Sequence, residues 1–287
     1  MNGKIALVLA GILTGLVGTI VKLIDGNIPV FSLVFSRFFL GTLFFLIVMS
    51  FIDKRFYAIT KKDIKDYALI GLILACSTAL TIFALSLSDI SQVVLIASTQ
   101  MVFVAILAFI FLKEKLKTVH RVSIFVAIVG LIILNPLGNK LHILGNILAL
   151  ASAFVYSIFL VYTRYEEKKH NISSIFWIFM FATLFLSPFV FKFGLGNYST
   201  FLPHILILGL VCSGVAYLFF TYGIKRTKAE TAAILCLISH NVSSIFFAVI
   251  FVGEILNYNT IIGGILLLSS GVYLIYSKRI KHFLHHH

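Results

Sequence analysis

Ten apolar stretches follow one another through the 287 residues, most of them close to the roughly 20 residues needed to cross a bilayer core. They are read at 4–24, 29–51, 67–87, 90–112, 121–135, 143–164, 173–192, 202–221, 230–252 and 260–277. A backbone surrounded by hydrocarbon has no water to bond, so each stretch must close its own hydrogen bonds as a helix. The links between them are too short for a soluble domain. The chain therefore reads as an all-α integral membrane protein with ten transmembrane helices. Composition agrees, with 60% hydrophobic residues, 11% charged residues and a mean hydropathy of +1.09, far from the balance of a soluble fold.

Within this pattern one segment occurs twice. Ser91 to Glu114 (SQVVLIASTQMVFVAILAFIFLKE) and Thr231 to Glu254 (TAAILCLISHNVSSIFFAVIFVGE) align at an offset of 140 residues. The pairs Leu95/Leu235, Val102/Val242, Ala108/Ala248, Ile110/Ile250, Phe111/Phe251 and Glu114/Glu254 are identical in that register. The copies share a small or hydroxylic start, a polar middle, a bulky apolar run and a glutamate at the exit. A repeated membrane unit with polar residues at mid-depth is the pattern of a secondary transporter. Two halves follow, 1–138 and 139–281, with 282–287 left as a tail. The ending HFLHHH looks like the remnant of a purification tag, and His285, His286 and His287 enter no argument.

Charge sets the orientation. The net charge of +13 would suggest nucleic acid in a soluble protein, but here its placement decides otherwise. With a cytoplasmic N-terminus, nineteen of the 23 basic residues lie at inner ends: Lys4, Lys54 to Lys65, Lys113 to Arg121, Arg164 to Lys169, Lys225 to Lys228, and Lys278 to Lys281. The outer ends keep only Lys22, Lys140 and Lys192. The positive-inside rule puts both termini in the cytoplasm of a cell inner or plasma membrane. Five helices per half is an odd number, so the second half must be inverted relative to the first. Cys76, Cys212 and Cys236 lie singly in apolar stretches and suggest neither disulfide nor zinc site. No cofactor or metal is expected, and the expected partners are lipid and a small-molecule substrate, not nucleic acid. A monomer is compatible with the sequence. The first stretch is too long for a signal-peptide core and reads as a retained helix.

Polar residues inside the spans are the candidates for substrate contact, because each is costly in lipid unless it lines water, substrate or another helix. Arg37 is the one full charge well inside a span, about 12 Å along its helix. It could clamp a carboxylate with its fork of donors, or tie helix ends through carbonyls or an acid such as Asp89 or Asp25. Gln100 and His240 stand halfway down the two copies, with Thr99, Ser239, Asn241 and Ser244 around them, and His240 and Ser244 share a face at i, i+4. Ser77, Thr81, Tyr156 and Tyr217 are further cavity candidates, against the plainer reading of helix-to-helix glue. Glu114 and Glu254 could act as gate latches or be ordinary helix-end charges. All ten acidic residues lie in loops or near helix ends, so a coupled proton would need His240, which titrates near neutrality when unperturbed. A facilitator or exchanger needs no such group. Proline is scarce, so the helices are expected to be mostly continuous. Gly11 and Gly15, Gly18, Gly209, Gly214, Gly263, Gly264 and Gly271 mark close helix approaches.

These elements resemble the drug/metabolite transporter superfamily in its ten-helix EamA branch. The likeness is carried by Ser36-Arg37-Phe38-Phe39-Leu40, by Phe111-Leu112-Lys113-Glu114-Lys115-Leu116 and by Phe251-Val252-Gly253-Glu254, similar to that family's arginine-phenylalanine motif and its two helix exits. The resemblance implies a basket-like bundle of two inverted five-helix repeats around a central cavity, carrying small polar metabolites such as amino acids or related compounds by alternating access in the export direction. Relatives usually have proline thirteen residues before each glutamate, where this chain has Met101 and Asn241. An enzyme is not expected, because the chain has no HExxH, GxSxG or phosphate-loop motif. A structural or lipid-binding bundle would not predict matched polar centres in two antiparallel copies.

Overall fold

The computed structural model describes residues 1–52, 61–111, 118–134, 140–165 and 172–284. Twelve α-helices are present among them: α1 Gly3–Ile24, α2 Val30–Ile52, α3 Lys61–Leu87, α4 Ile90–Ala97, α5 Gln100–Phe111, α6 Thr118–Leu134, α7 Lys140–Tyr165, α8 Ile172–Phe193, α9 Leu202–Leu206, α10 Ala216–Ile224, α11 Ala229–Phe247 and α12 Tyr258–Leu284. Two π-helical segments, Ile207–Val215 and Ala248–Val252, join α9 to α10 and extend α11. Among the described residues nine spans are long and apolar enough to cross a bilayer, and Thr118–Leu134 is a shorter apolar helix. This is the all-helical membrane bundle expected from the apolar stretches.

One span departs from the expectation of mostly continuous helices. The fourth span breaks at Ser98 and Thr99, where the backbone tightens to i→i−3 bonds: Ser98 N to Leu95 O (3.1 Å), Thr99 N to Ile96 O (3.0 Å) and Met101 N to Ser98 O (3.3 Å). The broken ladder leaves carbonyls short of donors, and local hydroxyls replace them. Ser98 Oγ donates to Val94 O at 3.3 Å and Thr99 Oγ1 to Ile96 O at 2.7 Å. No proline is needed for this kink. The eighth and ninth spans carry the π-helical segments, a form often found at functional sites.

Close approach at glycine sets the packing. Without a hydrophobic drive between helices in lipid, small residues and good contact decide which helices meet. In α1, a Cβ on Gly11 would stand 1.8 Å from Ser239 Oγ and one on Gly15 2.1 Å from Ser243 Oγ, so the glycines let α1 lie directly on α11. Gly209 and Gly214 of the first π-helical segment press on Leu40 and Phe44 of α2, while Gly130 and Gly263 face each other where α6 meets α12. The other main contacts pair α3 with α7 and α2 with α8.

The links after α1 and after α8 are tied together. Asn197 N donates to Asn27 O (3.1 Å), Ser32 Oγ donates to Gly194 O (2.5 Å), and Tyr198 OH reaches Ser36 Oγ. Burial pushes the Tyr198 phenol up from its ordinary range, and the bond with Ser36 opposes that shift. The links after α1 and after α8 are thereby clasped beside the residue preceding Arg37.

Candidate functional site

The polar centres of the two repeated segments meet. At the kink between α4 and α5, the buried Ser98 donates from Oγ to Asn241 Oδ1 of α11 at 3.1 Å. Asn241 Nδ2 in turn donates to Leu237 O at 2.6 Å. One residue before it, His240 places Nδ1 3.0 Å from Thr14 Oγ1 of α1. Thr14 sits between Gly11 and Gly15, whose contact with α11 brings it within reach. Its hydroxyl also lies 3.0 Å from both Ala10 O and Gly11 O. When that single proton goes to a carbonyl, His240 must donate from Nδ1, and Nε2 is left as an acceptor.

Arg37 projects from α2 toward the first π-helical segment. Its Nε donates to Ser213 Oγ at 2.9 Å, and Ser213 Oγ bonds back to Leu208 O at 3.2 Å, five residues earlier, as the wider π turn permits. Neither acid considered as a tie is its partner. Asp25 closes α1 in a left-handed conformation, and Asp89 lies 3.8 Å from His142. The guanidinium lies within electrostatic range of Tyr156, Tyr217, Cys212 and His240, and Tyr156 and Tyr217 neighbour each other. Phe179 packs edge-on against Tyr217 at 5.1 Å and against Phe38 at 5.2 Å, walling one side. Arg37, Tyr156, Tyr217, Gln100 and His240 are all only half-buried, and Gln100 makes no side-chain hydrogen bond among the described residues.

Other candidates separate from this group. Ser77 and Thr81 of α3 join Ser152 of α7 in a hydroxyl network, with Thr81 Oγ1 2.6 Å and Ser77 Oγ 3.2 Å from Ser152 Oγ. Each also bonds a helix carbonyl, so they hold α3 to α7. Thr99 is buried and bonds its own helix, Ser239 bonds back to Leu235 O at 2.6 Å, and Ser244 is buried where Gly15 meets α11.

At the start of α4 Glu254 has a defined role in the architecture. Gly253, in the left-handed region at φ 73°, turns the chain out of the second π-helical segment. The Glu254 carboxylate then accepts from Ile90 N (2.9 Å), from Ser91 N (3.0 Å) and from Ser91 Oγ. It thus caps the first turn of α4, where unpaired amides and the helix dipole favour a negative charge. A buried amide network stands beside it: Asn146 Nδ2 donates to Gln92 Oε1 (2.9 Å) and Ser88 Oγ to Asn146 Oδ1 (2.8 Å). Its matching glutamate, Glu114, lies outside the described residues. No group of three or more potential metal ligands occurs among the described residues.

The sequence reading missed Thr14, Ser213, Asn146 and Gln92. For Thr14 there was a usable signal, its place between two glycines four residues apart. Ser213 offered none, because one hydroxyl in an apolar run is ordinary.

Comparison with known proteins places this geometry in a family context. A family model described as the EamA-like transporter family matches residues 1–135 and again 143–277. An uncharacterized transporter of Clostridium kluyveri is 27% identical over 266 residues, covering 86% of this chain and 84% of that protein. One from Archaeoglobus fulgidus is 26% identical over 274 residues, covering 93% and 94%. The uncharacterized transporter YetK of Bacillus subtilis is 25% identical over 252 residues, covering 82% and 75%. A crystal structure of a protein 15% identical superposes with a TM-score of 0.68 over 97% of this chain and 98% of that one, a likeness of fold. With the family model matching nearly its whole length, this multi-pass membrane protein belongs to the EamA-like transporter family, a branch of the drug/metabolite transporter superfamily.

Proposed function

We propose that the chain is a secondary transporter moving small polar metabolites by alternating access, with its central site between two inverted five-helix halves, 1–138 and 139–281, and both termini cytoplasmic. The observation that carries this reading is the meeting of the two repeated polar centres through Ser98 and Asn241, with His240 of the second centre turned to Thr14 of α1. Side chains deep in a bundle that are polar and only half-buried fit a hydrated or substrate-filled cavity better than a dry interface. Helix pairing supports the two-half plan, since α2 with α8 and α6 with α12 are contacts that exchanging the halves would preserve. The family model matching twice supports it as well.

Within this reading Glu254 is the outer latch. It joins the exit of the ninth span to the start of the fourth, and releasing it frees the outer ends to separate. Family analogy favours export, with amino-acid-like compounds among the first to try. The deciding experiment is flux of a mixed labelled metabolite pool in proteoliposomes, with and without an imposed pH gradient. Saturable movement that falls at least tenfold when Gln100→Ala and His240→Ala are combined in folded protein supports the central site. Unchanged flux in that double variant sinks it. Uphill movement driven by the gradient would assign the proton to His240, and purely downhill movement would make the protein a facilitator.

A further inference from the structure

Arg37 is the only formal charge at the centre of the described bundle, and no counterion stands beside it among the described residues. Its one hydrogen bond is to a neutral hydroxyl, Ser213 Oγ, through Nε. That bond fixes the plane of the guanidinium and leaves the two Nη groups, the outward-facing pair of the fork, without a partner among the described residues. Five acids with described side chains are engaged or stationed elsewhere. Glu254 caps α4, Asp89 faces His142, Asp25 ends α1, Asp66 accepts from Tyr162 OH (2.9 Å), and Asp63 lies in the first turn of α3. Once the cavity closes around a ligand and its water leaves, a cation without an opposite charge becomes costly, and a ligand that brings the charge removes that cost.

We infer that the transported compound is a small organic monoanion whose carboxylate docks on the Nη pair of Arg37, between Ser213 on one side and the Tyr156–Tyr217 pair on the other. A planar carboxylate matches the guanidinium fork with two parallel bonds, which a point donor such as lysine does not reproduce. The phenol groups and the free acceptor side of His240 supply bonds for hydroxyl groups on the same molecule. The assignment also discriminates by net charge. With His240 neutral, a monoanion brings the occupied site to zero, whereas a zwitterion leaves it at plus one and places an ammonium near an arginine with no acid to receive it. Hydroxy acids are therefore preferred over the amino acids of the same skeleton.

This inference rests on the transporter reading for its biological sense, but binding tests it independently. Purified protein is titrated with lactate, glycerate and phenyllactate, with the primary amides of the same acids, and with alanine, serine and phenylalanine, following thermal unfolding and calorimetric binding. At least one hydroxy acid is expected to bind and to stabilise the fold, with its amide and its amino-acid counterpart weaker by tenfold or more. Arg37→Gln is expected to weaken that acid at least about thirtyfold, the loss of one partner of a desolvated charge pair. Arg37→Lys is expected to recover only part. Where Arg37→Gln folds poorly, Arg37→Lys carries the test, because it keeps the charge but loses the paired donors and is expected to narrow the preference for acid over amide severalfold. Equal binding of amides or amino acids, no binding by any of the acids, or an unchanged preference in folded Arg37→Gln overturns the assignment. Flux of the same compounds in proteoliposomes separates the two readings. Acids that bind while nothing crosses leave the anion site standing and remove the transporter. Amides or amino acids that cross saturably do the reverse.

Discussion

At the scale of single residues, an apolar background makes polar side chains conspicuous. Arg37, Gln100, His240 and Asn241 could be picked out because each interrupts a run that lipid would otherwise favour. Their partners were illegible, because partners are set by which helices touch. Nothing near Glu254 in sequence announces that it will cap a helix starting 164 residues earlier. The same limit hid that Ser77 and Thr81 bond Ser152 of α7. Replacing Glu254 with Ala should cost about 1–2 kcal/mol, as loss of a charged N-cap does elsewhere, seen as a lower unfolding temperature in detergent. Glu254→Gln, which keeps an acceptor for one amide, should cost roughly half as much. Thr14→Val removes the oxygen facing His240 and little else. It should lower stability by only about 0.6 kcal/mol while cutting flux severalfold, and equal losses of stability and flux would assign Thr14 to packing alone.

Elements were more legible than residues. The apolar stretches located the spans, and their ends moved by a few residues, most in the third and tenth, where α3 begins at Lys61 and α12 runs to Leu284. The breaks were hidden because proline and glycine are the usual signals, and the kink at Ser98 uses hydroxyls instead. Relatives' proline at position 101 becomes intelligible in this light. Met101 N makes only a 3.3 Å bond in the first turn of α5, a place that tolerates a missing donor. Met101→Pro should therefore cost about 1 kcal/mol or less, against about 3 kcal/mol for proline in a continuous helix interior; Val104→Pro, three residues deeper in α5, supplies the comparison. Should both variants unfold at the same temperature, the break at Ser98 does not relieve the ladder. Gly11→Leu should drive α1 off α11, since even a Cβ there would sit 1.8 Å from Ser239 Oγ. A loss of roughly 3 kcal/mol or more, or failure to assemble, is the expected reading in thermal melts.

For the whole molecule, class and family were both readable from the chain, because hydropathy and basic-residue placement act over long segments and average out local error. The predicted orientation can be checked directly. Single cysteines at Asn197, in the link clasped to Asn27, and at Lys225, in the link before α11, should react with an impermeant maleimide from opposite sides of sealed vesicles, Asn197 from the outside. Labelling of both from one side would contradict the antiparallel arrangement. The cap on α4 also bears on which parts move together. Held at Ile90 and Ser91 by Glu254 and broken from α5 at Ser98, the segment Ile90–Ala97 is tied to the exit of the ninth span more directly than its place in chain order suggests. On the two-half reading proposed above, the seam along which the molecule would part runs through the middle of the fourth span, not along the link between the halves.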